Sequence, residues 1–222
     1  MRCSKARIWA VTNGIAADCH QPTPRRPRCP RPVNYLAHLH LSEAANLPLS
    51  GAVLGDIVRG RLEQRFPSPL EQSIRLHRRI DVLTDSHPLS RVARERFPPE
   101  TRRYAGIVLD VLYDHCMALD WPRSDTLSDF ARRCAVAVAD PEAWRLAGAT
   151  PPCKIRFERL LCSYRNESGI DRTISRIASR LKQPQLLHDA ARSWRTHVPQ
   201  LRAEFPLLLN DLERAAYDFT SR

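Results

Sequence analysis

From about position 33 onward, apolar residues recur every three or four positions, the period of helices that bury one face. The pattern predicts a first helix over 34–45. There, however, Leu39 and Leu41 alternate with His38 and His40, which also suits a strand. A second helix, capped by Ser50, is predicted to run to about Leu62. Ser68-Pro-Leu-Glu71 reads as a capping box with proline at the first helical position, and the helix it opens must stop before Pro88. A short helix follows to Phe97, broken by Pro98-Pro99, and another spans about 100–119, ending before Trp121-Pro122. Five more helices are predicted over 126–139, 152–164, 167–182, 185–197 and 199–219, with arginine on their outward sides. No internal repeat is visible. The expectation is an all-α protein, a single helical bundle over residues 33–222.

Residues 1–32 break this pattern. The stretch Gln21-Pro-Thr-Pro-Arg-Arg-Pro-Arg-Cys-Pro-Arg-Pro32 has no apolar period and reads as disordered. A basic tail and an organelle targeting peptide are two readings of it. The segment also changes the meaning of the charge. Of the net +11 in the whole chain, this stretch holds seven Lys/Arg against one Asp, so about half of the excess belongs to the bundle. A basic balance favours acidic partners: nucleic acid, anionic lipid or an acidic protein. Seven cysteines without a Cys-x-x-Cys pair argue against a disulfide framework or zinc knuckle and for a reducing cytoplasm. No apolar run reaches the roughly 18 residues of a membrane span, so no membrane association is expected.

Two predicted helices carry the candidate chemistry. His77, Asp81 and Asp85 repeat at four-residue spacing and form one polar stripe; Asp110 and Asp114 form another, at the margin of the apolar face made by Ile107, Val108, Val111, Leu112 and Cys116. Carboxylates beside a core need a cation or a basic side chain. A divalent metal meets that need, and mixed His and Asp at this spacing on several helices is a usual way to build its site in a bundle. The pool of ligands is His38, His40, Asp56, His77, Asp81, Asp85, Asp110, Asp114 and His115. Each also has a plainer reading: Asp81 paired with Arg78 or Arg79, Asp85 solvated, a histidine bonded to a backbone carbonyl, Asp56 at the surface. Arg59, Arg78 and Arg79 stand beside these acids and read either as a phosphate or partner clamp or as local salt bridges. The chain has no His-Glu-x-x-His, phosphate loop or nucleophile elbow. A non-enzymatic nucleic-acid module would account for the charge but not for the acid–histidine clusters, and aromatic residues to stack bases are lacking.

Four motifs in order, Asn34-Tyr-Leu-Ala-His-Leu-His-Leu41, Gly55-Asp-Ile-Val-Arg-Gly60, His77-Arg-Arg-Ile-Asp-Val-Leu-Thr-Asp85 and Leu109-Asp-Val-Leu-Tyr-Asp-His115, resemble the bacterial acyl carrier protein phosphodiesterases. The resemblance continues through Arg159-Leu-Leu-Cys-Ser-Tyr-Arg165 and Ala178-Ser-Arg180. It implies an all-helical fold distantly similar to HD-type metal phosphohydrolases. The implied reaction is hydrolysis of the phosphodiester between 4′-phosphopantetheine and the serine of holo acyl carrier protein. Mn²⁺ is the implied metal, with Mg²⁺ or Fe²⁺ also compatible, and the partner is a small acidic carrier protein rather than nucleic acid. Asp56 falls on the family's functional aspartate; His77, Asp81, Asp110 and Asp114 follow as ligands. His115 or a histidine of the His38/His40 pair, with His40 the preferred member, is the expected acid for the serine leaving group. The runner-up is a metal phosphohydrolase acting on nucleotides or another small phosphodiester. Family members begin with Met where this chain has Val33, and an internal GTG start reads as valine. Residues 1–32 are therefore expected to be a misassigned upstream segment or a dispensable extension.

Overall fold

The computed structural model describes residues 35–221, so the expected extension over 1–32 lies outside the described residues. Among the described residues every regular element is helical. They are α1 (Tyr35–Ala44), α2 (Leu49–Leu54), α3 (Ser68–Ser86), α4 (Pro88–Glu95), α5 (Ala105–Leu119), α6 (Leu127–Val138), α7 (Pro141–Leu146), α8 (Lys154–Ser163), α9 (Glu167–Ala178), α10 (Pro184–Ala190) and α11 (Trp194–Thr220), with a 3₁₀ turn at Arg102–Tyr104. The all-α expectation holds, and no described helix is long and apolar enough to cross a membrane. All four described cysteines are free.

α1 is the helix whose pattern also suited a strand, and its packing explains the ambiguity. It touches α2, α3, α5 and α11, and every residue from Tyr35 to Ser42 is buried, so no solvent face imposes a 3.6-residue period. Residues two apart on a helix point to different sides, so His38 and His40 leave α1 in different directions. The first turn of α1 is satisfied from another element. The two carboxylate oxygens of Asp114, on α5, accept from the Leu36 and Ala37 N–H groups at 2.8 and 3.0 Å. A carboxylate at a helix N-terminus also meets the positive end of the helix dipole.

Several boundaries differ from the sequence pattern. α2 ends at Leu54, not near Leu62, where the Ile57 N–H turns back three residues to the Leu54 carbonyl in place of a four-residue helical bond. The loop that follows uses left-handed backbone at Gly60, Glu63 and Gln64. The capping box at Ser68 does not form. Ser68 is the first residue of α3, and Glu71 instead accepts from the Gln64 and Phe66 N–H groups of the preceding loop while pairing with Arg75. The short α7 was absent from the expected set, although Asp140 caps it and Pro141 opens it. Pro199 is not a boundary. α11 runs through both Pro199 and Pro206, which lie on its exposed side, where a carbonyl freed by the missing N–H can be hydrated.

α2 and α3 approach unusually closely. A Cβ on Gly51 would lie 2.4 Å from Ser73 Cβ, and one on Gly55 would lie 2.2 Å from the His77 ring. These are two small positions one turn apart on α2 facing two residues one turn apart on α3. The contact sets His77 directly beneath the turn that carries Asp56.

Candidate metal centre

Three elements converge on one polar cluster. α1 supplies His38, α3 supplies His77 and Asp81, and the turn after α2 supplies Asp56. His38 Nε2 lies 3.1 Å from Asp81 Oδ1. His77 Nε2 lies 3.2 Å from Asp81 Oδ2 and 3.7 Å from Asp56 Oδ1. The two imidazoles stack with centroids 4.0 Å apart. Ligand atoms of His38, His77 and Asp81 all fall within 4.8 Å of one another, a group that could hold a metal ion.

The orientation of His77 is set from behind. Its Nδ1 lies 2.7 Å from the Ala52 carbonyl, which can only accept, so Nδ1 carries the hydrogen and Nε2 faces the acids. Such a bond on the far nitrogen is the usual support of a metal-binding imidazole. One buried polar atom of the cluster, Asp56 Oδ2, has no hydrogen-bond partner, and His77 Nε2 meets only the Asp81 and Asp56 carboxylates. Two imidazoles and two carboxylates gathered at one point offer the mixed nitrogen and oxygen donors that a divalent cation takes.

The electrostatics point the same way. Burial alone would strip a proton from His77, but the Asp56 and Asp81 carboxylates outweigh it and raise its pKa to about 10. Burial would raise Asp81, yet His38 and His77 hold it well below the usual carboxylate range. His38 is pushed down by burial and by its neighbour His77, against Asp81. The cluster thus holds a positive charge, as a proton on His77, when no metal is bound. A consequence for stability follows from linkage. Because the folded-state pKa of His77 is raised from 6.5 to about 10, its contribution is complete below pH 6.5 and is lost as pH rises toward 10. The melting temperature of metal-free protein is therefore expected to fall between pH 7 and pH 9. A bound divalent cation replaces the proton and should flatten that slope. Calorimetry at both pH values with and without metal checks this, and identical slopes would count against a metal at His77.

The other expected residues scatter. Asp110 stands near Asp81 and Asp85, and burial together with those two acids raises its pKa well above the ordinary value. Asp114 does not join the cluster: its oxygens cap α1, and burial raises it to about 7 in spite of those bonds. His115 packs edge-on against Trp194 with Nδ1 2.6 Å from the Tyr164 carbonyl. His40 turns to α11, its Nε2 2.7 Å from Glu213 Oε1. Neither histidine expected as the leaving-group acid therefore contacts the cluster, and His38, the other member of the pair, does. Asp85 is committed to Arg94.

Of the three arginines, Arg59 and Arg79 are exposed, and Arg78 is spent on backbone. Its two terminal nitrogens donate to the Val58 and Gly60 carbonyls at 2.8 and 2.9 Å, clamping the loop that follows Asp56 onto α3. Both Arg78 terminal nitrogens are thus engaged in holding this loop. Arg78→Ala is expected to lower metal affinity by about ten- to a hundredfold, the usual effect of losing support behind a ligand. Lysine at this position should restore little, because one ammonium cannot span both carbonyls. Metal titration by calorimetry reads both outcomes.

The comparisons with known proteins agree on one family. The model of the family described as acyl carrier protein phosphodiesterase matches residues 33–212. The chain belongs to that family. Among curated relatives, an acyl carrier protein phosphodiesterase of Escherichia coli O139:H28 (strain E24377A / ETEC) is 38% identical over 179 residues, covering 78% of this chain and 92% of the relative. The same protein of Shigella boydii serotype 18 (strain CDC 3083-94 / BS512) is 37% identical over the same shares. No solved structure matches. Within the acyl carrier protein phosphodiesterase family, the His38, Asp56, His77 and Asp81 cluster joins three of the motifs quoted above, which lie far apart in sequence and meet here.

Proposed function

We propose that this chain hydrolyses the phosphodiester joining 4′-phosphopantetheine to the serine of holo acyl carrier protein, releasing the apo carrier and 4′-phosphopantetheine, with Mn²⁺ as its metal. The observation that carries this reading is the cluster of two histidines and two aspartates, built by motifs of the acyl carrier protein phosphodiesterase family. His38, His77, Asp81 and Asp56 would hold the ion, with Asp110 next in line behind Asp81. When bound, it supplies a Lewis acid that lowers the pKa of water and offsets charge on the phosphoryl oxygens.

The chain's own groups do the rest. The Ala52 carbonyl keeps the His77 Nε2 lone pair aimed at the site. Asp56 Oδ2, buried and unpartnered, would accept a proton from the attacking water. Arg78 keeps Asp56 in place through the loop. The bacterial cytoplasm fits this reaction, since all four described cysteines are free thiols.

The test uses metal-stripped protein, holo acyl carrier protein and added Mn²⁺, with intact mass spectrometry of the carrier. Loss of the phosphopantetheine mass only when Mn²⁺ is present is the expected result. An unchanged carrier mass with folded, metal-loaded protein overturns the assignment.

A further inference from the structure

A cleft of about 710 Å³ opens between α8 and α9, lined by Arg156, Arg159, Arg172, Arg176 and Arg180. None of these is among the arginines that stand beside the acids in the sequence, although Arg159 and Arg180 fall in stretches that share the family resemblance. Acids are present on the same helices but are used elsewhere: Glu167 and Asp171 of α9 both pair with Arg195 on α11, and Glu158 of α8 faces Arg132. Among the described residues, Arg156, Arg159, Arg172 and Arg176 have neither a side-chain ion pair nor a side-chain hydrogen bond. Like charges one helical turn apart repel each other weakly, a repulsion that an anionic partner seated on the row relieves.

The spacing identifies the anion. Arg172 and Arg176 on α9, and Arg180 just past its end, follow at four-residue steps, about 6 Å apart along the axis. That repeat matches carboxylates one turn apart on a facing helix. A lone phosphate would instead call for arginines converging on one point. Phe157 and Leu160 lie between the cationic walls, so the floor is apolar, as an amphipathic helix requires. The cleft shares a wall with the segment that builds the metal centre. Val53, on its wall, follows Ala52, whose carbonyl holds His77, and precedes Asp56 by three residues.

We infer that this arginine-lined cleft docks an acidic helix of the substrate protein and so presents the phosphodiester to the metal centre. The inference rests on the reaction proposed above, which makes the substrate a carrier protein. Electrostatic pairing of this kind governs encounter and orientation and is weakened by salt.

The experiment compares full-length wild type with Arg172→Glu/Arg176→Glu. It measures binding of carrier protein that lacks its prosthetic group, by fluorescence anisotropy across a salt series. The double variant is expected to bind at least tenfold more weakly and to lose most of the salt dependence, with metal titration and melting temperature as in wild type. The milder Arg172→Gln/Arg176→Gln should give an intermediate loss and serves if charge reversal disturbs folding. Affinity within twofold of wild type in both variants overturns the docking assignment. So does a loss of free 4′-phosphopantetheine binding with carrier affinity intact, which would make the cleft a small-anion seat. Turnover of holo carrier protein by wild type is read in the same series. Its absence alone would overturn the proposed reaction, while the binding result still decides the cleft.

Discussion

Asp56→Ala is expected to lower turnover of holo acyl carrier protein by about a thousandfold or more, with the fold intact. The size of the effect comes from two losses at one position. Asp56 faces the metal group through Oδ1, 3.7 Å from His77 Nε2, and its Oδ2 is a buried acceptor without a partner. Removing a ligand or base from such a centre takes several kcal/mol from the transition state, and each 1.4 kcal/mol is about tenfold in rate. Stability of the metal-free protein should fall only modestly, because the Asp56 carboxylate is one of two that hold the proton on His77 and Asp81 remains to hold it. The two measurements are the initial rate with saturating metal and the melting temperature. Near-normal turnover would remove Asp56 from the site. A collapsed melting temperature would make it structural instead.

Gly55→Ala is expected to cripple the same centre by a purely steric route. The added methyl would lie 2.2 Å from the His77 ring, far inside van der Waals contact, and 2.7 Å from His77 Cβ. The ring cannot slide away cheaply, since it is buried, stacked on His38 and bonded to Ala52. Forcing extra volume into such packing costs roughly 1–3 kcal/mol of stability. The separation of α2 from α3 must also increase, which breaks the Ala52–His77 bond and lowers metal affinity by at least the ten- to hundredfold typical of lost ligand support. Calorimetric metal titration beside thermal unfolding checks both halves. A variant with wild-type metal affinity would mean that His77 does not ligate.

How much of this was legible in the chain differs from residue to residue. His77 and Asp81 were readable as a pair, because four-residue spacing on a strongly signalled helix puts them on one side wherever that helix packs. Asp56 was readable as a polar residue in an apolar run, but its setting was not: the helix was expected to continue past it, and only the turn at Gly55–Ile57 brings it over α3. The choice between His38 and His40 could not be made from the pattern. α1 is buried on all sides, so amphipathicity gives no direction, and the neighbours decide: α3 meets His38 and α11 meets His40. Asp110 and Asp114 share a face by spacing, yet they do different jobs, because the start of α1 happens to lie over one of them. A helix end contributed by a distant segment leaves no local trace in the sequence of the residue that caps it. The arginines of α8 and α9 were likewise read as an outward scaffold. Their significance appears only when the acids beside them are seen to be taken up by α11 and α6.

The Asp114 cap has a consequence for how the centre comes into being. α1 has ten residues, below the roughly 12–15 at which an isolated helix becomes marginal in water, and its first N–H groups wait for a carboxylate 77 and 78 residues downstream. The helix that carries His38 is therefore secured only when α5 arrives, a contact of high sequence separation whose loop-closure entropy must be met first. A nascent chain emerging N-terminus first exposes α1 long before its cap exists. Metal ions in the cell thus meet an incomplete set of donors until the bundle has closed. An ion taken up by this cluster would therefore load after assembly and act as a lock on the finished protein rather than as a template for making it.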